Sequence, residues 1–287
     1  MPHSPLASPS STRAVLDRHG IALNKSLGQH FLVDDNIVGR ILALADLPPD
    51  TPVLEIGPGI GTLTAALCEK AGAVVAVERD ASLLPALDEL GARCPGLRVV
   101  HADAVKVPTE ELLTPLGPPV ALVANLPYAV AATVVLRFLD ELPSLRSATV
   151  MVQSEVADRM AAEPGGKAYG AYTVKLRLRA KATGRFGVPR TCFMPPPRVD
   201  SSVLRLDRVP ATDDAAIRAA EALASAAFAQ RRKTLRNSVT GSVGWAAARL
   251  DEALAAAGID GARRAETLSV EEYLHLAREV RRCGLLP

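Results

Sequence analysis

From Pro52 onward, short apolar runs that suit β-strands alternate with longer segments that have helical spacing. The runs that we predict as strands are PVLEIG, AVVAVE, LRVVHAD, PVALVAN and SATVMVQ. Between them, GTLTAALCEKAG, ASLLPALDELGA and the stretches around residues 131–139 and 155–160 have the spacing of helices. Strands that alternate with helices usually pair in parallel, because each helix returns the chain to the same end of the sheet. The pattern predicts an α/β fold with helices on both faces of the sheet.

After Gly170 the pattern changes. TVKLRLRAK alternates basic and apolar side chains, which is typical of a half-exposed strand, and SSVLRLD is predicted as another strand. Together they would form an antiparallel addition at the sheet edge. From about Ala211 the chain has helical spacing, with breaks expected near residues 241–244 and 258–261. We therefore predict a flexible Pro- and Ser-rich tail over residues 1–24, an α/β domain over 25–208 and a helical domain over 209–287.

Composition narrows the class of protein. A hydrophobic content of 48% and a mean hydropathy of +0.16 allow a sizeable core, so global disorder is not expected. No stretch approaches the ~20 apolar residues that a membrane span needs. Cys68, Cys94, Cys192 and Cys283 are scattered, which predicts reduced thiols in a cytoplasmic protein without a metal site. Lys and Arg number 33 against 31 Asp and Glu, so only clustered charge could indicate a nucleic-acid partner.

A glycine-rich loop follows the first predicted strand and opens a helix. Its residues are Glu55, Gly57, Gly59 and Gly61, in the stretch EIGPGIG. Glycines at such a place let the backbone turn sharply and approach a ligand closely, although a purely structural turn also uses them. The loop is therefore a candidate cofactor site.

Acidic residues end the next two predicted strands. Glu78 follows the first loop glycine by about 20 residues, where a carboxylate can accept hydrogen bonds from ribose hydroxyls. Asp103 ends the third strand, where it could accept from an adenine amine or cap a helix. Because the carboxyl ends of parallel strands share one edge of the sheet, these residues predict an adenosine-containing cofactor there. The loop alone does not choose between NAD and S-adenosylmethionine.

The fourth predicted strand ends in NLPY, and this stretch favours S-adenosylmethionine over NAD. An adenine amine is a poor nucleophile, because its lone pair is delocalised into the ring. The side-chain oxygen of Asn125 and the backbone carbonyl of Leu126 could accept its hydrogens and favour the geometry needed for methyl transfer. Pro127 would stiffen the loop and Tyr128 would stack on an extruded base. An ordinary Asn-Pro turn with a packed tyrosine is the alternative reading.

At this point the sequence resembles a known family. The stretches that carry the resemblance are KSLGQHFL, VLEIGPGIGTLT, NLPY, VMVQSEVADRM, GGKAYG, FMPPPRVDSSV and AFAQRRKTLRNS. They resemble the KsgA-type small-subunit rRNA adenine N6-dimethyltransferases, within the class I S-adenosylmethionine-dependent methyltransferases, from about Lys25 to near the C-terminus. The resemblance implies a Rossmann-like sheet of seven strands, mostly parallel with one antiparallel strand near its edge, and a small C-terminal helical domain.

The resemblance also implies an activity and its partners. S-adenosyl-L-methionine would donate two methyl groups to each of two adjacent adenosines near the 3′ end of 16S rRNA, with S-adenosyl-L-homocysteine as product. The substrate would be the 16S rRNA of a 30S assembly intermediate, and the enzyme a cytoplasmic monomer. His30 and Leu32 would close over the methionine end of the cofactor, and Gly57 would contact it. Glu78 would bind its ribose, Asp103 its adenine and Asn125 the methyl acceptor region. Phe193 would cover the other face of the target base, although on its own it resembles a core residue.

Two basic surfaces would bind RNA phosphates. The first lies in QRRKTLR, at the expected start of a helix, and the second lies on the predicted strand TVKLRLRAK. Their members are Arg231, Arg232, Lys233 and Arg236 in the first, and Lys175, Arg177 and Arg179 in the second. A solvated charged face is the simpler reading of either group.

Some positions depart from the family pattern, and other functions stay open. Ala129 stands where Asn is common, Ser154 stands where Lys is common, and HADA at residues 101–104 replaces a more usual Gly-Asp-Ala. The nearest alternative is an antibiotic-resistance methyltransferase that acts on 23S rRNA. A nicotinamide oxidoreductase and a non-catalytic protein that checks ribosome assembly are the other two.

Overall fold

The computed structural model describes residues 2–22, 29–210 and 213–286. Its helices are α1 Pro9–Arg18, α2 Asp35–Ala45, α3 Thr62–Lys70, α4 Leu84–Gly91, α5 Ala131–Glu141, α6 Ser154–Met160, α7 Ala171–Arg177, α8 Asp214–Phe228, α9 Leu235–Val243, α10 Ala247–Ala256 and α11 Val270–Arg282. Its strands are β1 Phe31–Leu32, β2 Pro52–Ile56, β3 Ala73–Glu78, β4 Leu97–His101, β5 Ala121–Asn125, β6 Ser147–Gln153, β7 Ala180–Val188, β8 Phe193–Met194 and β9 Ser201–Arg208. Within the described ranges, no helix is both long and apolar enough to cross a membrane.

Seven strands form one sheet in the order β4-β3-β2-β5-β6-β9-β7. The five strands from β4 to β6 pair in parallel, and β9 pairs with β6 in the antiparallel sense. The prediction of a mostly parallel sheet of seven strands with an antiparallel strand near its edge is therefore confirmed. A separate two-stranded ribbon joins β1 to β8, where Leu32 lies opposite Phe193.

Both faces of the sheet are buried, as the parallel strands require. Val53 and Val74 belong to a hydrophobic cluster with α2 and α3. Leu54 and Val75, which point to the opposite face, are as fully buried. The continuous apolar runs in the sequence follow from this two-sided burial.

Contacts divide the chain into two compact units. The first comprises Met1–Ala157 and Ala182–Arg208, and the second comprises Asp158–Lys181 and Val209–Pro287. The second unit therefore takes in a segment that the sequence analysis placed in the α/β domain.

The second unit is helical, and its helix ends follow local rules. The Asp213 side chain caps α8, and Ser269 and Glu272 form a capping box at the start of α11. Helix α9 ends at Val243 with Gly244 as its C-cap, and α10 ends shortly before Gly258. Both glycines have positive φ, so the predicted breaks are confirmed.

Two predictions about local structure are wrong. The segment TVKLRLRAK does not form one strand, because α7 runs to Arg177 and strand β7 begins only at Ala180. The expected flexible tail contains helix α1, whose Leu16 packs in a hydrophobic cluster with Ile60 and Leu83. Burial of Leu16 and the N-cap of Ser8 stabilise this helix. The Pro and Ser content of the segment had instead indicated a flexible tail.

Candidate active site

The carboxyl ends of β2, β3 and β5 meet at one edge of the sheet, and the loops that follow these strands enclose a cavity. Its volume is ≈ 220 Å³, and it lies wholly within the first unit. The predicted site residues that line it are His30, Leu32, Glu55, Gly57, Gly59, Glu78, Asp103, Asn125, Leu126, Pro127 and Tyr128. The strand order thus brings together residues that are up to about a hundred positions apart in the sequence.

The glycine loop is shaped by close packing against its neighbours. Gly57 has a φ of +70°, and a Cβ at that position would lie 3.2 Å from the ring of Pro127. Gly59 has a φ of +63°, and its Cβ would lie 3.2 Å from the Phe31 ring. A side chain at either position would strain the backbone and crowd the residues of the cavity wall. Glycine therefore allows both the sharp turn and the close packing of this loop against Pro127 and Phe31.

Glu78 is held by backbone amides at the end of β3. Its Oε1 accepts from the amides of Arg79 and Asp80, both at 2.8 Å, and its Oε2 accepts from Gly59 at 3.2 Å. Burial raises the pKa of Glu78, and these hydrogen bonds oppose the shift because they stabilise the ionised form. The glycine loop and the acidic strand end therefore form one hydrogen-bonded unit, with carboxylate oxygens at the cavity wall.

Asp103 caps a turn and also lines the cavity. Its Oδ1 accepts from the amide of Val105 at 2.9 Å, as a turn cap does. Its Oδ2 lies 3.7 Å from the Arg79 guanidinium. The carboxylate lines the cavity beside Glu78 and keeps capacity to accept a further hydrogen bond.

Glu55 stands apart from the other two carboxyl groups, because it is almost completely buried, at 1% exposure. Burial raises the pKa of Glu55 to about 8, and the nearby Glu78 adds to the shift. Among the described residues, neither Oε2 of Glu55 nor Oγ1 of Thr62 has a hydrogen-bond partner. Both residues line the cavity, and these two buried atoms have unused hydrogen-bonding capacity.

The amide of Asn125 is oriented by the backbone of the segment that carries His30. Its Nδ2 donates to the carbonyl oxygen of His30 at 3.4 Å, which leaves Oδ1 as the acceptor of this side chain. The ring of His30 is fixed in turn, because Nδ1 lies 2.7 Å from the carbonyl oxygen of Pro195. A carbonyl only accepts, so Nδ1 carries a hydrogen.

Tyr128 forms an aromatic wall beside this amide. Its ring stacks on His30 with centroids 5.9 Å apart and an interplanar angle of 29°. Its hydroxyl lies 2.7 Å from Oγ of Ser201. Burial raises the pKa of Tyr128, so the phenol stays neutral at physiological pH. Two contacts thus hold the ring at the cavity edge.

The structure does not bring two predicted residues to the cavity. Phe193 is 3% exposed, packs in the core and does not line the cavity, so its placement does not support the predicted cover over the target base. Gly61 caps α3 with a φ of +88°, and a Cβ there would lie 2.7 Å from the Leu90 side chain. Its role is in the turn, since no room exists for a side chain. The residues Lys25 to Gly28 of KSLGQHFL lie outside the described residues.

Sequence reasoning missed four polar or aromatic residues of the cavity: Gln29, Phe31, Thr62 and Arg79. Gln29 and Phe31 flank His30 in LGQHFL, and Arg79 follows Glu78. Thr62 opens α3 directly after the glycine loop. Their positions next to predicted site residues could have indicated that they line the cavity.

Most of the predicted RNA-binding residues have partners inside the helical unit. Arg177 donates to Glu163 at 2.6 Å, Arg179 to Glu221 at 2.9 Å, and Arg231 to the carbonyl oxygen of Lys167 at 2.8 Å. Arg236 makes a two-pronged pair with Asp251 at 2.6 and 2.8 Å.

The remaining predicted residues differ in exposure. Arg232 and Lys233 are exposed and lie before α9 rather than in it, whereas Lys175 is half-buried on α7. The prediction of a basic face on one strand is wrong for Lys175 and Arg177, because both lie in α7. Arg179 follows that helix and precedes β7.

The seven-stranded sheet, the glycine loop and the acidic ends of the next two strands define a Rossmann-like methyltransferase fold. Within that class, the family of ribosomal RNA adenine dimethylases matches residues 20–282. The chain belongs to this family.

Similar proteins agree with this assignment. A Kineococcus radiotolerans protein named ribosomal RNA small subunit methyltransferase A is 49% identical, over 96% of this chain and 91% of that protein. A protein of the same name from Alkaliphilus metalliredigens is 41% identical, over 96% of this chain and 98% of its own. The relatives are matched over nearly their whole length.

Solved structures agree on the fold. The 23S rRNA methyltransferase ErmE superposes with a TM-score of 0.66 at 29% identity, covering 88% of this chain and 99% of that one. A dimethyladenosine transferase from Plasmodium falciparum has a TM-score of 0.74 at 23% identity, covering 89% and 98% of the two chains. At that identity the second similarity shows the fold alone.

Proposed function

We propose that this chain dimethylates N6 of two adjacent adenosines near the 3′ end of 16S rRNA, with S-adenosylmethionine as donor, in a 30S assembly intermediate. The observation that carries the proposal is the amide of Asn125, which ends β5 and is oriented by the His30 carbonyl beside the Tyr128 ring. The names of relatives that match 96% of the chain support the small-subunit substrate. We further propose that the enzyme acts as a cytoplasmic monomer.

The residues of the cavity fit an adenosyl cofactor. The backbone at Gly57 and Gly59 leaves space that a Cβ would fill, and the carboxylates of Glu78 and Asp103 can accept from ribose hydroxyls and from an adenine amine. When bound, S-adenosylmethionine supplies a sulfonium methyl group, which is electrophilic. The carboxylates of Glu78 and Asp103 suit a ligand that carries positive charge.

The acceptor side needs hydrogen-bond acceptors rather than a strong base. An adenine amine becomes a better nucleophile when its nitrogen moves toward tetrahedral geometry. Oδ1 of Asn125 and the Leu126 carbonyl can accept its two hydrogens and favour that geometry, and the charge on nitrogen increases as the methyl group arrives. The proton leaves only after transfer, when the nitrogen has become acidic, so water can take it.

Tyr128 would stabilise an extruded base. Stacking of a base on an aromatic ring contributes roughly 1–3 kcal/mol, and extrusion costs about a few kcal/mol. Because Ser201 and His30 hold the ring, little side-chain freedom is lost when the base enters. Positioning of the acceptor relative to the donor then supplies the rest of the rate.

The test is methyl transfer from labelled S-adenosylmethionine to immature 30S particles, with the modified nucleotides located by mass spectrometry. We expect dimethyladenosine at two adjacent positions near the 3′ end of 16S rRNA. Naked 23S rRNA is the comparison substrate, because ErmE shares the fold at 29% identity. Transfer only to 23S rRNA would overturn the choice of substrate, and binding of NADH but not S-adenosylmethionine would overturn the activity.

A further inference from the structure

A loop over residues 195–200 borders the acceptor side of the cavity, and both of its ends contact the cavity wall. At one end, the carbonyl oxygen of Pro195 lies 2.7 Å from Nδ1 of His30. At the other end, Ser201 Oγ lies 2.7 Å from the hydroxyl of Tyr128. Whatever binds to this loop is therefore held next to the residues that would contact the target base.

The loop is also tied to the sheet behind it. The backbone carbonyl of Asp200 accepts from the amide of Ser154 at 3.1 Å, and its Oδ1 accepts from the amide of Arg190 at 3.0 Å. The bond from Ser154 holds the end of the loop against the start of α6, and the bond from Arg190 connects that end to the segment that precedes the loop. A fixed loop can present side chains in a defined place.

Two guanidinium groups of this region point into solvent: Arg198 lies within the loop, and Arg190 precedes it and donates its backbone amide to Asp200. Arg190 and Arg198 are exposed, and neither guanidinium has a hydrogen bond or ion pair to another residue that the structure describes. Arg185, on the neighbouring strand β7, differs because it donates to Ser202 Oγ at 3.1 Å. The only carboxylate within the loop, Asp200, already accepts from a backbone amide. The segment from Arg190 to Asp200 thus has an excess of positive charge and cationic groups free to bind an anion.

We infer that Arg190 and Arg198 bind backbone phosphates of the RNA strand next to the target nucleotide and so position the base over Asn125. The exposed Val199 side chain, at 45%, lies between Arg198 and Asp200 and offers an apolar contact for a sugar. The inference rests on the proposed function, since it assumes an RNA substrate. It makes the two arginines positioning residues in the catalytic unit, separate from the basic residues of the helical unit.

The experiment compares Arg190→Ala, Arg198→Ala and the double variant with the full-length wild type. RNA affinity is measured from 50 to 300 mM salt with the 30S particle, and with a single-stranded oligonucleotide of the 16S 3′ region. Each lost phosphate contact should lower the slope of log affinity against log salt by roughly 0.7. The KM for RNA should rise, kcat at saturating RNA should stay within about twofold, and Arg198→Lys should restore most of the slope. Arg13→Ala is the matched control, because Arg13 is exposed on α1 in the same unit.

The outcomes separate this inference from the proposed function. A wild type that binds S-adenosylmethionine and methylates RNA, together with variants whose salt slope and KM are unchanged, would overturn the inference alone. A wild type that neither binds the cofactor nor methylates RNA would overturn the proposed function instead. Calorimetry of cofactor binding should give the same Kd for every variant, and a loss there would mean that the loop supports the cofactor site rather than the RNA.

Discussion

The cavity edge of the α/β unit and the basic segments of the helical unit differ in how their polar groups are used. At the cavity, Oε2 of Glu55 and Oγ1 of Thr62 have no partner among the described residues, and Oδ1 of Asn125 is left as an acceptor. In the helical unit, Arg177 and Arg236 make short ion pairs within the unit.

This difference shows that residue type alone does not identify a binding group. An arginine that already pairs with a carboxylate would have to break that pair before it bound a phosphate. A buried carboxyl oxygen without a partner would instead gain a hydrogen bond from a ligand that reached it. Spare hydrogen-bonding capacity therefore separates the cavity residues from most of the predicted RNA-binding residues.

The largest effect is expected from Gly57→Val, which tests whether cofactor binding requires a residue without a side chain at this position of the cavity wall. The φ of +70° strains a β-branched residue, and the Cβ would lie 3.2 Å from the Pro127 ring. We expect calorimetry to detect no binding of S-adenosylmethionine. Gly91→Ala is the control, because a Cβ there meets nothing within 4 Å. Wild-type affinity in the Gly57 variant would show that the loop does not approach the cofactor.

Asn125→Ala should have the next largest effect and tests the acceptor side of the cavity. Loss of the Oδ1 acceptor should lower kcat by roughly 10²–10³-fold, the size seen when one preorganised polar group of an active site is removed. RNA binding by gel shift should stay close to wild type, since Asn125 is one of many contacts. The exposed Asn36 provides a matched variant, Asn36→Ala, that should keep full activity. Full activity of Asn125→Ala would remove the basis of the proposed chemistry.

The cavity edge of the α/β unit could be predicted from the sequence to a greater extent than the basic segments of the helical unit. The strands of the sheet centre were predicted, because apolar runs that are buried on both faces leave a strong pattern. The cavity residues at their ends were then predicted through the geometry of parallel strands. Glu78 and Asn125 needed no structure to be placed at one edge.

Alternation misled the prediction at residues 173–181. The side chains of Val174, Leu176, Leu178 and Ala180 are indeed buried in alternation, but the first two are in α7 and the last is in β7. A short helix followed by a turn and a strand produces the same pattern as one strand. The local sequence alone therefore does not distinguish these two structures.

Partners of side chains could not be predicted at all. Asp251 lies on α10, fifteen positions after Arg236 on α9, and no spacing rule connects the two residues. Phe193 likewise appeared as a candidate base cover, yet the β1–β8 ribbon draws it into the core opposite Leu32. Long-range packing decides such cases.

Glu55→Gln tests whether the cavity contains a neutral carboxyl group. Burial raises the pKa of Glu55 from 4.5 to about 8, so between these pH values the folded state holds a proton that the unfolded chain has lost. The resulting stability is complete below pH 4.5 and is lost as pH rises toward 8, with a slope of at most ~1.4 kcal/mol per pH unit.

Denaturant unfolding at pH 5, 6, 7 and 8 measures this slope. The free energy of unfolding of the wild type should fall with rising pH more steeply than that of Glu55→Gln, whose amide does not titrate. The exposed Glu111 gives the control variant Glu111→Gln, which should keep the wild-type slope. Equal slopes in wild type and Glu55→Gln would mean that the carboxyl is ionised in the fold, with a partner that satisfies it.

The smallest effects are expected in the helical unit, where Arg232→Ala and Arg236→Ala form a direct contrast. Both residues belong to QRRKTLR, but Arg236 pairs with Asp251 while Arg232 is exposed and has no ion pair within the described part of the chain. Arg232→Ala should weaken RNA binding and lower its salt slope by roughly 0.7–0.9, with an unchanged Tm. Arg236→Ala should leave the salt slope unchanged and lower the Tm slightly, because Asp251 loses its partner. The opposite result would show that the ion pair opens on the RNA, and that spare capacity in the free protein does not identify the residues that bind it.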